Sequence, residues 1–246
     1  MLRPKYILVI FLFTVGFLSC KNQADITEST IHIRLKKDPD KLNPLIFPNP
    51  VAREVYQYIH VPLADYNPQT LALEPILIKT MPKETVIDSG EYAGGVAFDI
   101  EFKNEAKWDD GSPITVKDYI FTMKAINLPM TDAGNYRDFT TNITDIVLDP
   151  SDDHKCTVIF SHDYMLGLET VVNIPLYPRY VYDSLNVLGS YNFKDINDKN
   201  KDRLQMDEKL IQFAEAFNSA KFSRDKVSGA GPYRVVSWTA DQSIVL

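Results

Sequence analysis

Between residues 96 and 128 the chain commits to a strand, a tight turn and a helix in immediate succession. In Val96-Ala97-Phe98-Asp99-Ile100-Glu101-Phe102-Lys103 the apolar residues recur at every second position, so an extended segment here has one apolar and one polar face. Trp108-Asp109-Asp110-Gly111-Ser112-Pro113 is a turn by composition, in which Gly111 can take a positive φ and Trp108 brings a large surface to bury. Thr115, with Asp118 three residues later, matches a helix N-terminal cap in which the carboxylate also meets the helix dipole favourably. Ile120, Phe121, Lys124, Ala125 and Leu128 then predict a helix with one apolar face. The expectation is an α/β fold.

Weaker signals extend this pattern in both directions. Ile31 to Leu35 alternates as a half-buried strand, and Asn49 followed by Pro50 suits a helix N-cap with proline at the first helical position. A short strand is expected near Leu63 to Tyr66, ending at Asn67-Pro68. Ile143 to Leu148 and Thr157 to Phe160 read as a strand pair joined by an acidic turn. Leu210, Phe213, Ala214 and Phe217 fall at helical spacing in a second strong helix, from Asp207 to Phe217. Pro232 to Trp238 and Gln242 to Leu246 are expected as a hairpin, and because the chain stops inside an apolar run, a truncated domain is expected.

The first nineteen residues stand outside this pattern. Arg3 and Lys5 precede an almost wholly apolar stretch, Ile7 to Phe17, that is too short to span a bilayer and is followed by Ser19-Cys20, the layout of a signal peptide. A small residue before Cys20 resembles a lipoprotein cleavage site, so residues 20–29 are expected to be a lipid-anchored tether beginning at an acylated Cys20. Removing Arg3 and Lys5 with the leader takes the net charge from −7 to −9. That balance argues against a nucleic-acid partner, which needs clustered Lys and Arg. With Cys20 lipidated, Cys156 is the one remaining thiol of two, no internal disulfide can form, and Cys156 is expected to be a buried hydrophobe.

No motif of a known catalytic or metal chemistry stands out. The acids from Asp195 to Asp202 fail as a calcium loop, because the sixth and twelfth positions counted from Asp195 are Asn200 and Met206. The four histidines show no paired zinc spacing, and no nucleophile elbow, Walker loop or dinucleotide fingerprint is present. Neither enzyme activity nor a cofactor is expected.

Four segments, in order, resemble the bacterial extracellular solute-binding proteins of family 5, the oligopeptide and dipeptide binders. They are Asp40-Lys41-Leu42-Asn43-Pro44; Ile59 to Tyr66 with Leu73-Glu74-Pro75; Phe98 to Asp118, centred on Trp108-Asp109-Asp110-Gly111-Ser112-Pro113; and Gly229-Ala230-Gly231-Pro232-Tyr233-Arg234-Val235 with Trp238. Ala230 stands where the family usually has Thr or Asn, and Tyr191 to Asp207 is an insertion. The resemblance implies a type II, clamshell, periplasmic-binding-protein-like first lobe with mixed sheets and flanking helices, occupying residues 30–246, with the second lobe missing. Closure of two such lobes over a ligand is a hinge motion.

It also implies a monomeric receptor in the periplasm, anchored to the cell membrane or outer membrane through Cys20. Such a receptor captures a peptide and hands it to an ABC permease driven by a separate ATPase. Alternatives are the same fold carrying an oligosaccharide or metal complex, and a glycan-binding surface lipoprotein without a transporter. The candidate ligand contacts are Ile46, Phe47 and Asn49, whose loop can pair strand-wise with an extended peptide, and Tyr136 and Phe139 as a tolerant aromatic wall. Gly229 and Gly231 are expected to permit a crossover turn. Replacing Cys20 by Ala should abolish incorporation of a clickable palmitate analogue in cells and release the protein from the membrane fraction. Unchanged labelling would rule out Cys20 as the attachment point.

Overall fold

The computed structural model describes residues 30–46 and 49–246, so the leader, the tether, Cys20 and Phe47 lie outside the described residues. The chain divides between Leu35 and Lys36. In the first unit, residues 30–35 form no strand, against the expectation for Ile31 to Leu35, and Ile31 and Ile33 are exposed. Alternation supplies a strand with a face, but a ladder also needs a hydrogen-bonding neighbour.

In the second unit, α1 (Pro50–Tyr56) begins as its sequence predicts: Asn49 Oδ1 accepts the Ala52 N–H at 2.8 Å and Pro50 opens the helix. β1 (Ala64–Tyr66) and β2 (Leu73–Pro75) form a small hairpin over the Asn67-Pro68 turn. β3 (Glu84–Val86) and β4 (Val96–Glu101) enter the main sheet, whose strand order is β3-β4-β6-β5 once β5 (Ile143–Leu148) and β6 (Lys155–Phe160) are added. Every strand pairing between named strands is antiparallel, so the expected mixed sheet has no parallel pairs among the described residues.

Register explains the sheet's two faces. Val96, Phe98 and Ile100 lie opposite Phe160, Val158 and Cys156, and all six are buried. The other face is polar: Thr157 Oγ1 donates to Asp99 at 2.6 Å, and Glu101 sits 2.7 Å from Lys79 and 3.6 Å from Lys155. Cys156 is the expected buried hydrophobe, its thiol pushed up to about 12 by desolvation.

The Trp108 turn delivers the chain into α2 (Val116–Asn127). Trp108 is buried, Gly111 takes φ +86°, and Asp110 accepts from both the N–H and hydroxyl of Ser112. Asp118 accepts the Thr115 N–H at 3.0 Å and the Arg179 N–H at 2.9 Å. The expectation of one apolar face is too modest, because α2 is buried nearly all round, including Thr122, Lys124 and Asn127. Thr122 and Asn127 donate back to the carbonyls of Asp118 and Met123, and Lys124 reaches the Leu188 and Tyr191 carbonyls. These bonds let polar side chains sit in the interior.

Beyond α2 come α3 (Gly134–Thr140), α4 (Gly167–Val172), α5 (Arg179–Tyr182) and α6 (Lys201–Leu204). Arg137 on α3 donates to the Ile126, Leu128 and Thr131 carbonyls at 2.7–2.9 Å, closing the C-terminal end of α2 with a cation. α7 (Glu208–Asn218) starts at the Asp207 cap and buries Leu210, Phe213, Ala214 and Phe217, the residues its periodicity selects. Phe213 meets Phe121 edge to face at 6.2 Å, tying α7 to α2. The Asp195 to Asp202 stretch folds into short helical turns, with Ile196 within it and Phe193 just before it both buried.

The final hairpin, β7 (Ser237–Thr239) with β8 (Ser243–Val245), is shorter than expected. Its approach is held elsewhere: Gly231 and Tyr233 donate their N–H groups to the Ile59 and Tyr58 carbonyls at 2.8 and 3.1 Å. This corrects the reading of the glycines. Neither Gly229 nor Gly231 has positive φ, but a Cβ would come within 2.1 Å of the Ile59 oxygen at Gly229 and 2.3 Å of the Tyr58 oxygen at Gly231. They permit close approach of two backbones rather than a turn. Trp238 anchors the hairpin, donating Nε1–H to Asp38 at 3.0 Å with the Arg224 guanidinium 4.1 Å from its ring centre. Among the described residues no helix is long and apolar enough to cross a membrane.

His60 lies beneath that junction, its ring tilted 30° against Tyr177 with centres 5.1 Å apart, buried, and with neither ring nitrogen bonded among the described residues. Desolvation pulls its pKa down to about 4, with the neighbouring Leu42 and Leu176 backbone groups opposing only in part.

Two outcomes follow from this packing. Gly231→Ala should cost about 1–3 kcal/mol in urea unfolding through the clash with Tyr58, whereas Gly134→Ala, where nothing lies within 4 Å, should be neutral or slightly stabilising. Because His60 is neutral in the fold and titrates near 6.5 when unfolded, stability is intact above pH 6.5 and falls as pH drops from 6.5 towards 4, by roughly 3 kcal/mol once complete. His60→Phe should flatten that slope in urea titrations at pH 7 and pH 4.5. An unchanged slope would show that His60 is not its source.

Candidate functional site

α1, α3 and α4 converge on a concavity of about 530 Å³, whose lining also includes Pro44. From α1 and its cap come Asn49, Arg53 and Tyr56; from α3, Asn135, Tyr136 and Phe139; and from α4 and its flanks, Leu166, Glu169, Thr170, Asn173 and Ile174. α3, which carries Tyr136 and Phe139 on either side of Arg137, is held here by the part-buried Arg137 clamp on the end of α2.

Three of the residues singled out in the sequence meet in this concavity: Asn49, Tyr136 and Phe139. Phe139 is 46% exposed, a large apolar ring open to solvent. Tyr136 is half-buried, and desolvation pushes its hydroxyl up to about 12, so it is a neutral phenol at any physiological pH. Asn49 has little to spare, since its Oδ1 caps α1 and its Nδ2 donates to Asp40 at 2.7 Å. Ile46 is placed differently: its side chain is in the core and its N–H donates to the Asn43 carbonyl at 3.1 Å, so a strand-wise contact there has only the carbonyl to use.

Sequence reasoning missed Arg53, Tyr56 and Glu169. Arg53 lies on the polar side of α1, opposite buried Val51 and Val55, a position that looks like ordinary solvated surface. In the fold its cation and the Glu169 carboxylate line one cavity, and among the described residues neither takes part in an ion pair. Asn173, by contrast, spends its amide on the Ala64 carbonyl and Asp65. The cavity therefore presents three aromatic rings, one cation and one anion, and the described lining contains no His or Cys to ligate a soft metal directly. Asp152, Asp153 and His154 do cluster elsewhere, on the turn between β5 and β6, where Lys155 pairs with Asp152 and His154 Nδ1 lies 3.0 Å from Asp153.

Residues 92–246 match the family model of bacterial extracellular solute-binding proteins, family 5, middle region. No curated protein sequence matches the chain. Among solved structures it is similar to the oligopeptide-binding protein of Thermus thermophilus complexed with a pentapeptide, at 22% identity and TM-score 0.59, over 81% of this chain and 33% of that one. NikZ from Campylobacter jejuni in complex with Ni(L-His) gives 16% identity and TM-score 0.57, over 83% and 32%. The oligopeptide-binding protein AppA of Bacillus subtilis in complex with a nonapeptide gives 16% and 0.56, over 85% and 34%. At these identities the likeness concerns the fold, and the chain spans about a third of the length of each. The Trp108 turn, the capped α2 and the paired glycines at 229 and 231 all fall within the matched segment, and with it they place this chain among the bacterial extracellular solute-binding proteins of family 5, in the α/β fold of periplasmic binding proteins.

Proposed function

We propose that this chain is part of the substrate-binding component of an ABC-type importer, which captures peptides in the periplasm and passes them, chemically unchanged, to a membrane permease driven by a separate ATPase. The carrying observation is the concavity between α1, α3 and α4, where exposed aromatic surface adjoins one cation and one anion without ion-pair partners. A zwitterionic peptide matches that chemistry. Its carboxylate pairs with Arg53, its ammonium with Glu169, and its side chains lie on Phe139 and Tyr136, a wall that reads area rather than a particular functional group. Two of the structurally similar proteins hold peptides, which supports a peptide over the oligosaccharide and glycan alternatives. The metal-complex alternative draws on NikZ and its Ni(L-His). In this reading Cys20 holds a monomeric receptor at the membrane surface, and the ligand is closed in by a second lobe across a hinge.

The complete protein, purified natively from its own cells and analysed by native mass spectrometry with ligand fragmentation, should carry peptides. Finding only a glycan or a metal chelate would end the peptide reading. In that protein, Arg53→Gln and Glu169→Gln should each weaken binding of a released peptide about tenfold, or about 1.4 kcal/mol, in calorimetry. Tyr136→Phe should leave it nearly unchanged, because the ring and not the hydroxyl is offered.

A further inference from the structure

A second concavity, of about 410 Å³, shares no lining residue with the first. One wall is a single stripe of α2, where Lys117, Ile120, Phe121 and Lys124 recur at helical spacing. The other is Arg179 at the start of α5, with Asn186, Leu188 and Gly189 beyond it. Three cations and no carboxylate line this space, in a chain whose net charge is −7. A local reversal of sign in an acidic protein is a property of a site rather than of overall composition.

Acids outside the lining act on these cations, Asp183 on Lys124 and Asp118 on Arg179, but each of those carboxylates is also engaged by backbone N–H groups. Asp118 accepts from the backbone N–H groups of Thr115 and Arg179, and Asp183 accepts from those of Val187 and Leu188 at 2.7 and 2.9 Å. Asp153 reaches Lys117 only at 3.9 Å, with both side chains about half exposed, a pairing of little worth. Among the described residues Arg179 and Lys124 take part in no ion pair. Lys124 is buried, its ammonium donating to the Leu188 and Tyr191 carbonyls, and Asp183 acts on its charge from beyond ion-pair distance. Desolvation lowers its pKa, with the Asp183 charge opposing.

The Arg179 wall is also built rather than incidental. Asn186 holds a left-handed backbone, φ +53°, and its Oδ1 accepts from Arg179 Nη1 at 3.0 Å. Gly189 makes room for that side chain, since a Cβ there would lie 2.3 Å from Asn186 Oδ1. One guanidinium is thus contacted by an asparagine whose amide lies in the space left open at Gly189.

We propose that this concavity binds a small free oxyanion of the phosphate or sulfate type, held by Lys117, Lys124 and Arg179. Three cations suit a dianion better than a single carboxylate, a guanidinium fork matches tetrahedral oxyanions, and the apolar Ile120 and Phe121 beneath reduce competition from water. Occupancy brings a second negative charge to Lys124 beside that of Asp183.

The test is a titration of the full chain with sodium phosphate and with sodium sulfate against sodium chloride at matched ionic strength. It is followed by NMR at the backbone amides of residues 186–189 and at the Lys124 side chain. The expected result is saturable binding of phosphate or sulfate with a Kd on the order of 1 mM or tighter, a rise in the Lys124 pKa on binding, and about tenfold weaker binding in K117M and in R179Q. A linear, chloride-like response to both anions, or saturable binding that neither variant weakens, would overturn the proposal. Lys117 is exposed enough that K117M decides the matter should R179Q fold poorly.

Discussion

Burying a helix on every side leaves its terminal N–H and C=O groups without water, and α2 meets that constraint with two charged side chains. Asp118 accepts the N–H of the Thr115 cap and reaches outward to the Arg179 N–H, while Arg137 serves the last carbonyls from α3. An unpaired backbone group in such a place costs about as much as a lost hydrogen bond, and a helix of this kind has four at each end. The two caps therefore do more than end a helix. Each ties α2 to the element that builds one of the concavities.

Through Arg137, the position of α3 is set, and with it the Tyr136 and Phe139 rings of the larger cavity. Through Asp118, the start of α5 is set, and with it the Arg179 guanidinium of the smaller one. Burial raises the pKa of Asp118 in spite of the hydrogen bonds it accepts, so this carboxylate sits where desolvation works against its charge. Interior charges of this kind specify an arrangement, because removing either partner strands the other. The same holds for Lys124, whose carbonyl contacts pin the 188–191 segment against α2.

A second long-range constraint is the docking of residues 229–233 on residues 58–60. Two glycines let the backbones come within hydrogen-bonding distance, and His60 and Tyr177 fill the space beneath. A Pro232-to-Trp238 strand was the natural reading of the sequence, yet the N–H groups of Gly231 and Tyr233 go to α1's exit segment. Position 229 or 231 looks the same in sequence whether glycine serves a turn or a close approach; only the neighbour's coordinates distinguish them.

Local order was legible wherever it rests on residues near one another in the chain: the alternation of Val96 to Phe102, the Asn49 cap, the Asp118 carboxylate at Thr115, and the helical spacing of Leu210 to Phe217. Such patterns arise from backbone geometry and its nearest hydrogen bonds, and those are written in consecutive residues. What the tertiary structure decided is which faces met. It buried the polar side of α2, withheld a strand partner from Ile31 to Leu35 among the described residues, and drew Arg53 and Glu169 into one cavity. Those outcomes depend on surfaces contributed by segments far apart in the chain, and no period or cap in either segment records its distant neighbour.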